Sequence, residues 1–167
     1  MRQVFVIRHA EAEEPVDAAR ERRNDGQRRL TESGKHDMRR GAEGLARLVE
    51  DIPLILTSPL KRAVETAEIL HTAFPEAKLR QQPLLSPGFD PEALLRSIAG
   101  ASGPIALVGH EPDLSQWVGY MSTGASRSVV RMKKGSVCRL DMPDPGYAGE
   151  ACIAWLLTLK QLGKLVA

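Results

Sequence analysis

Two arginines and two histidines lie within six residues after short apolar runs of the chain. Arg8 and His9 follow the run at residues 4–7, and His110 lies two residues beyond the run at 105–108. Arg62 lies six residues after the run at 52–56. An arginine side chain presents a planar fork of donors that matches phosphate oxygens, and each charge-assisted bond contributes about 1.5–3 kcal/mol. Neutral imidazole is a nucleophile for phosphorus. These residue types therefore predict phosphoryl chemistry.

The apolar runs predict the strands that position these side chains. Residues 4–7 are uninterrupted apolar, as expected for a strand covered on both faces of a parallel sheet, and residues 52–56 and 105–108 are similar. Open α/β sheets bind ligands beyond the carboxyl ends of their strands. We therefore expect His9, His110 and the segment from Ser58 to Arg62 to converge, with Ser58 as a further substrate contact.

Helical patterns alternate with these strands. Thr31 is a predicted N-cap, Asp90–Pro91 and Glu111–Pro112 each open a helix, and Ser58–Pro59 is predicted as an N-cap followed by proline at the first helical position. Residues 10–29 are rich in charge and predict a long exposed loop. Further strands are predicted near residues 79–85, 129–132, 137–142 and 152–159. The order predicts one domain over residues 1–167, a three-layer α/β/α sandwich whose mostly parallel central sheet has an antiparallel edge.

A reaction follows from the predicted convergence. His9 attacks phosphorus as neutral imidazole, which nearby arginine charges favour because they oppose its protonation. His110 donates a hydrogen bond to the phosphoryl oxygens in the transition state, and the helices opening at Pro59 and Pro112 aim backbone N–H groups at the same place. Water then releases phosphate from phospho-His9. This scheme requires no metal and no other cofactor.

Four motifs resemble the histidine phosphatase superfamily. They are Arg8-His9-Ala10-Glu11, the sequence LTESG at 30–34, the sequence LTSPLKRAVETA at 56–67, and Val108-Gly109-His110. The resemblance is greatest to the short SixA-type phosphohistidine phosphatases and implies a phosphoglycerate mutase-like fold. It implies that His9 is the phosphorylated nucleophile, that Arg8 and Arg62 clamp phosphate, that His110 is the second pocket histidine, and that Arg28 is a further contact from a loop. The implied substrate is a histidine-phosphorylated protein such as a phosphotransfer domain.

Two departures from the family pattern bear on the chemistry. The first motif reads RHA where most members read RHG, which places a methyl group at a tight turn. Residues 84–95 lack the usual carboxylate motif of the general acid, so Asp90, Glu92 and Glu11 remain candidates, although Asp90 also suits a helix N-cap. Weak acid catalysis is tolerable for a phosphoramidate and favours phosphohistidine over esters. A small-molecule phosphate monoester phosphatase and a non-catalytic phosphoprotein-binding module remain alternatives.

Composition excludes several other classes of function. The 23 basic and 21 acidic residues nearly cancel, and 4% of residues are aromatic, which argues against a nucleic-acid partner. No apolar stretch has the length of a membrane span, so we expect a cytoplasmic protein without a membrane partner. Cys138 and Cys152 lack the spacing of a metal or redox site and are predicted to be core residues. A metallohydrolase is disfavoured because arginines beside the two histidines repel a cation. His36 and His71 are predicted to lie on the surface.

Overall fold

A six-stranded sheet forms the centre of the computed structural model, which describes residues 1–166. The strands are β1 (Arg2–Arg8), β2 (Leu54–Thr57), β3 (Lys78–Gln81), β4 (Ile105–Gly109), β5 (Val137–Met142) and β6 (Cys152–Leu157), in the order β3-β2-β4-β1-β5-β6. Neighbours from β3 to β1 are parallel, whereas β5 is antiparallel to β1 and β6 is antiparallel to β5. The predicted parallel sheet with an antiparallel edge is confirmed.

Helices cover both faces of this sheet. They are α1 (Pro15–Arg20), α2 (Glu32–Leu48), α3 (Lys61–Ala73), α4 (Pro91–Ile98), α5 (Asp113–Thr123) and α6 (Leu159–Gly163). Alternate residues of β1 point to opposite faces: Phe5 and Ile7 pack with residues of α2, α3 and α6, whereas Val4 and Val6 pack with residues of α4 and α5. Two apolar cores therefore enclose the sheet, as the predicted three-layer sandwich requires.

The register of the central strands brings three of their carboxyl ends to one level. Arg8 of β1 pairs with Gly109 of β4, and Thr57 of β2 pairs with Val108 of β4. The residue after each strand is then His9, His110 or Ser58. Because parallel strands keep this register along their length, the three side chains emerge at the same edge of the sheet.

The start of α2 packs closely against the chain that follows β1. Thr31 Oγ1 accepts a hydrogen bond from Gly34 N–H at 2.9 Å, which confirms the predicted N-cap. A β-carbon at Gly34 would overlap with the carbonyl oxygen of Glu11. Glycine at this position lets the helix approach the backbone two residues beyond His9.

Several local predictions are wrong. Helix α3 begins at Lys61 with Leu60 as its N-cap, because Ser58 and Pro59 still belong to the turn that leaves β2. Residues 10–29 are not one loop: they contain α1 and a 3-10 helix, Asp25–Gln27. Residues 129–132 form no strand, and the predicted strand at 79–85 is divided into β3 and a 3-10 helix, Pro83–Leu85.

The structure also tests the predicted burial of the cysteines and of two histidines, and the predicted absence of a membrane span. Cys138 is buried as predicted, but Cys152 is exposed because it begins the edge strand β6. His36 is exposed, and His71 is half-buried with its Nε2 atom 3.0 Å from the Ala77 carbonyl oxygen. Among residues 1–166, no helix is both long and apolar enough to cross a membrane.

Candidate active site

The backbone around His9 fixes this residue at the end of β1. Its N–H donates to the Gly109 carbonyl oxygen at 3.0 Å, and its own carbonyl accepts from Gly135 N–H at 3.0 Å. The ring Nδ1 lies 2.7 Å from the Ala10 carbonyl oxygen. A carbonyl oxygen can only accept, so this contact assigns the proton to Nδ1 and leaves the lone pair on Nε2. The side chain is ready to act as a nucleophile through Nε2.

His110 stands beside His9 and is held by Ser58. The two imidazole centroids are 5.3 Å apart, and both residues are buried. His110 Nε2 lies 2.7 Å from Ser58 Oγ, and the same hydroxyl oxygen accepts from Leu60 N–H at 3.2 Å. A hydroxyl that accepts from Leu60 can still donate its own proton to His110 Nε2, and in that arrangement the imidazole proton is on Nδ1.

Arg8 and Arg62 add positive charge around the imidazoles. Arg62 lies in the first turn of α3 and is 5% exposed. Arg8 is half-buried and donates from Nη1 to the Met132 carbonyl oxygen at 3.0 Å. Within residues 1–166, three buried polar atoms of this cluster have no hydrogen-bond partner: Arg8 Nε, Arg62 Nε and His110 Nδ1. Buried polar groups are normally paired, so these atoms indicate a site for an acceptor-rich ligand.

Both imidazoles are neutral at physiological pH. The pKa of His9 is lowered to about 4, mainly by burial; the Ala10 hydrogen bond opposes the shift, and the charges of Arg62, Arg8 and Arg28 add to it. Burial also lowers the pKa of His110 to about 3, assisted by Arg62 and by His9. The predicted neutral state has desolvation as its main cause, with the arginine charges as a smaller contribution.

Arg28 reaches the site from the segment between α1 and α2. Its Nε donates to Asp25 Oδ1 at 3.0 Å, and its Nη1 donates to the Glu13 carbonyl oxygen at 3.0 Å. The guanidinium is close enough to lower the pKa values of His9 and His110. The structure therefore brings Arg28 together with the residues at the ends of the strands.

The two leading candidates for a general acid are used in other contacts. Asp90 is exposed and its Oδ1 accepts from Glu92 N–H at 3.1 Å, so this carboxylate caps α4. Glu11 is exposed and its Oε1 accepts from Thr31 Oγ1 at 2.7 Å. The third candidate, Glu92, forms an exposed ion pair with Arg96 at 2.6 Å. A catalytic role for any of them stays a prediction.

Sequence reasoning missed Asp25, whose carboxylate lies among the arginines. Its Oδ2 is 3.3 Å from Arg62 Nη2, its Oδ1 is 3.0 Å from Arg28 Nε, and its carbonyl oxygen accepts from Arg62 Nη1 at 2.9 Å. Asp25 stands in a charged segment with no local pattern that separates it from its neighbours. A contact across 37 residues of sequence leaves no signal in one chain.

Thr66 was also missed, although it lies within the LTSPLKRAVETA motif. Its hydroxyl donates to the Arg62 carbonyl oxygen at 2.7 Å and accepts from Ala10 N–H at 3.1 Å. Thr66 thus joins α3 to the turn after His9. Ala10 does not adopt a left-handed backbone conformation, so its methyl group introduces no strain of that kind. Within residues 1–166, Arg22 is the one non-glycine residue with a positive φ.

Comparison with known proteins identifies the family of this chain. A buried histidine pair lies with arginines at the carboxyl edge of the parallel part of the sheet. Residues 4–86 match the model of the histidine phosphatase superfamily (branch 1), and the range includes His9, Ser58 and Arg62. The chain belongs to this superfamily, and the membership supports phosphatase activity.

Individual relatives resemble this chain in sequence or in fold over most of its length. An uncharacterised protein of Picosynechococcus is 32% identical over 146 residues, which cover 83% of this chain and 84% of the relative. The protein histidine phosphatase SixA, solved with tungstate, superposes with a TM-score of 0.80 at 23% identity over 96% of this chain and 99% of that one. A phosphoglycerate mutase from Plasmodium falciparum gives 0.65 at 15% identity over 92% and 89%. The phosphoglycerate mutase-like fold is confirmed.

No group of three or more metal-ligating side chains that could hold an ion occurs within residues 1–166.

Proposed function

We propose that this chain is a phosphohistidine phosphatase that acts on proteins through a covalent phospho-His9 intermediate. The observation that carries the proposal is the state of His9: a buried neutral ring with its proton on Nδ1 and its lone pair on Nε2, beside unpaired donors of Arg8, Arg62 and His110. Such a site offers a nucleophile and an oxyanion cradle in one place.

The proposed reaction has two displacements. His9 Nε2 attacks phosphorus, the bond from phosphorus to the substrate nitrogen breaks, and the substrate imidazole leaves with the electron pair. Arg8, Arg62 and His110 Nδ1–H stabilise the phosphoryl oxygens while charge redistributes. A water oxygen then attacks phosphorus in line, the bond to Nε2 breaks, and phosphate leaves with His9 restored to its neutral form. One proton of the water passes to the departing phosphate or to solvent.

The substrate class follows from the carboxylates near the site. Burial favours a higher pKa for Asp25, but Arg62 and Arg28 together lower it overall, so this carboxylate is ionised at neutral pH and is a poor proton donor. Alkoxide leaving groups need a proton in the transition state, whereas a histidine imidazole leaves as a neutral ring when its other nitrogen is protonated. The pocket thus suits a phosphoramidate better than an ester. The SixA structure that superposes on this chain is of a protein histidine phosphatase.

A trapping experiment tests the intermediate. The protein is mixed with a histidine-phosphorylated phosphotransfer domain, quenched during turnover, and analysed for the position of phosphate. We expect an acid-labile, base-stable phosphoenzyme at His9 that is absent in His9→Ala and present in His36→Ala, since His36 is an exposed residue of α2. Phosphate on a serine such as Ser58 would contradict the mechanism.

Steady-state rates test the substrate class. We expect kcat/KM for the phosphorylated protein to exceed that for p-nitrophenyl phosphate and for sugar phosphates by about 10² or more, because Asp25, the carboxylate beside the pocket arginines, is a poor proton donor to an ester. A preference for sugar phosphates would favour a monoester phosphatase. Stoichiometric binding without phosphate release would favour a binding module, and loss of activity with a chelator would favour a metal-dependent reaction.

A further inference from the structure

Asp25 occupies the arginine side of the pocket with an anion that belongs to the protein. Its two carboxylate oxygens contact different guanidinium groups, Oδ2 that of Arg62 at 3.3 Å and Oδ1 that of Arg28 at 3.0 Å. A phosphoryl group would present oxygens to the same donors. The carboxylate thus holds contacts that the proposed function assigns to the substrate.

The partners in this contact differ in their freedom to move. The Arg62 side chain is 6% exposed, and the Arg28 side chain is 17% exposed. The Asp25 side chain is 62% exposed. A largely exposed carboxylate can rotate into water at low cost, whereas the packed guanidinium groups keep their positions. An arriving anion would displace Asp25 rather than the arginines.

The segment around Asp25 does not depend on this carboxylate for its shape. The Asp25 carbonyl oxygen accepts from Arg62 Nη1, and Arg28 Nη1 donates to the Glu13 carbonyl oxygen. A capping box between Asn24 and Gln27 closes the 3-10 helix. Loss of the negative charge should therefore leave the backbone and both arginines in place.

We infer that Asp25 is a displaceable internal anion that competes with the phosphoryl group for Arg62 and Arg28. This inference rests on the proposed function, because it requires these arginines to bind the phosphoryl group. In the unliganded protein, the carboxylate offsets part of the positive charge of both guanidinium groups. After turnover, its return to the arginines weakens the hold on product phosphate and speeds release.

Inorganic phosphate is the probe that tests the competition. Its dissociation constant is measured by isothermal titration calorimetry at pH 7.5 for the wild type, Asp25→Asn, Asp25→Glu and the matched control Asp17→Asn, whose residue lies in α1 in an exposed pair with Arg20. We expect phosphate to bind Asp25→Asn about tenfold more tightly, since each exposed ion pair that phosphate must break weakens binding only modestly. Asp25→Glu and Asp17→Asn should remain within about twofold of the wild type.

Two further measurements separate competition from other roles. If Asp25 only supported the fold, Asp25→Asn would lower Tm and weaken phosphate binding, and this outcome would overturn the inference. Unchanged or weaker phosphate binding in Asp25→Asn, with binding still lost in Arg62→Ala, would also overturn it while leaving the proposed function intact. Phosphate binding that Arg62→Ala does not affect would instead contradict the phosphate pocket itself, and both proposals would fail.

Discussion

The ends of β1, β2 and β4 fix their side chains by backbone register, whereas the segment between α1 and α2 fixes its side chains by ion pairs. His9, Ser58 and His110 are buried, and their neighbours in the sheet leave them little freedom. Asp25 and Arg28 meet in a salt bridge near solvent. Under the proposed function, the sheet thus supplies a fixed nucleophile, and the segment supplies charge that rearranges when an anion enters.

Arginine substitutions give the largest expected effect on this contrast. Arg62→Ala should lower kcat/KM for the phosphorylated protein by about 10²–10³, because a buried donor to the transition state is lost. Arg28→Ala should lower it by about tenfold, since this guanidinium is more exposed and already shared with Asp25. Arg20→Ala, in an exposed pair of α1, is the control for removal of a cation. Equal losses in Arg62→Ala and Arg28→Ala would remove the distinction between the buried pocket residues and the segment between α1 and α2.

Ser58→Ala tests whether the Ser58 hydroxyl orients the ring of His110. Removal of the hydroxyl leaves His110 Nε2 without its partner at 2.7 Å, so the proton can move from Nδ1 and the ring can rotate. We expect kcat to fall about tenfold with KM nearly unchanged, as for a group that acts in the transition state. Steady-state kinetics checks this split, with Ser33→Ala, an exposed serine of α2, as the control. A rise in KM at constant kcat would indicate that Ser58 binds substrate directly.

Burial of the two imidazoles predicts a pH-dependent stability. In the unfolded chain histidine protonates near its ordinary pKa of 6.5, whereas the folded pKa values are about 4 for His9 and about 3 for His110. Below pH 6.5 the unfolded state therefore binds more protons, and acidification destabilises the fold. As the pH falls from 6.5 to 5, we expect each buried histidine to lower the free energy of unfolding by roughly 1 kcal/mol per pH unit.

Urea denaturation across this pH range measures the slope of the free energy of unfolding against pH. The double variant His9→Gln/His110→Gln should lose most of the slope, and His36→Gln should keep it because His36 is exposed. A slope that survives in the double variant would mean that other groups titrate and that the imidazoles are not the cause.

The smallest effect is expected in the ion-paired segment away from the pocket. Glu13 accepts from Arg29 N–H at 2.9 Å and from Arg23 Nε at 3.0 Å, and these contacts lower its pKa, the Arg29 hydrogen bond most. Glu13→Gln should change Tm by less than about 2 °C and leave kcat unchanged, because glutamine keeps an oxygen that can accept from Arg29 N–H and ion pairs near the surface contribute little. Differential scanning calorimetry gives the first value and the phosphatase assay the second. A larger loss of Tm would show that this segment contributes as much to stability as the ends of β1, β2 and β4.

Local sequence patterns predicted the sheet and the residues at the carboxyl ends of its central strands. Residues 4–7, 105–108 and 137–142 are strands as predicted, because uninterrupted or alternating apolar runs bury only in that form. Thr31 and Asp90 cap helices as predicted, since capping depends on backbone groups two or three residues away. At Ser58–Pro59, Ser58 N–H still pairs with the Val108 carbonyl oxygen of the sheet, and α3 begins three residues later, at Lys61.

By itself, the sequence determined where chemistry can occur, because residues such as His9 and His110 directly follow strands whose apolar runs can be identified locally. Only the tertiary structure decided the state of that chemistry. Burial, which depends on the packing of the whole molecule, is the main cause of the low pKa values of the imidazoles. The approach of Asp25 to Arg62 joins distant segments and leaves no periodic pattern, so the anion inside the pocket is visible only once the chain has folded.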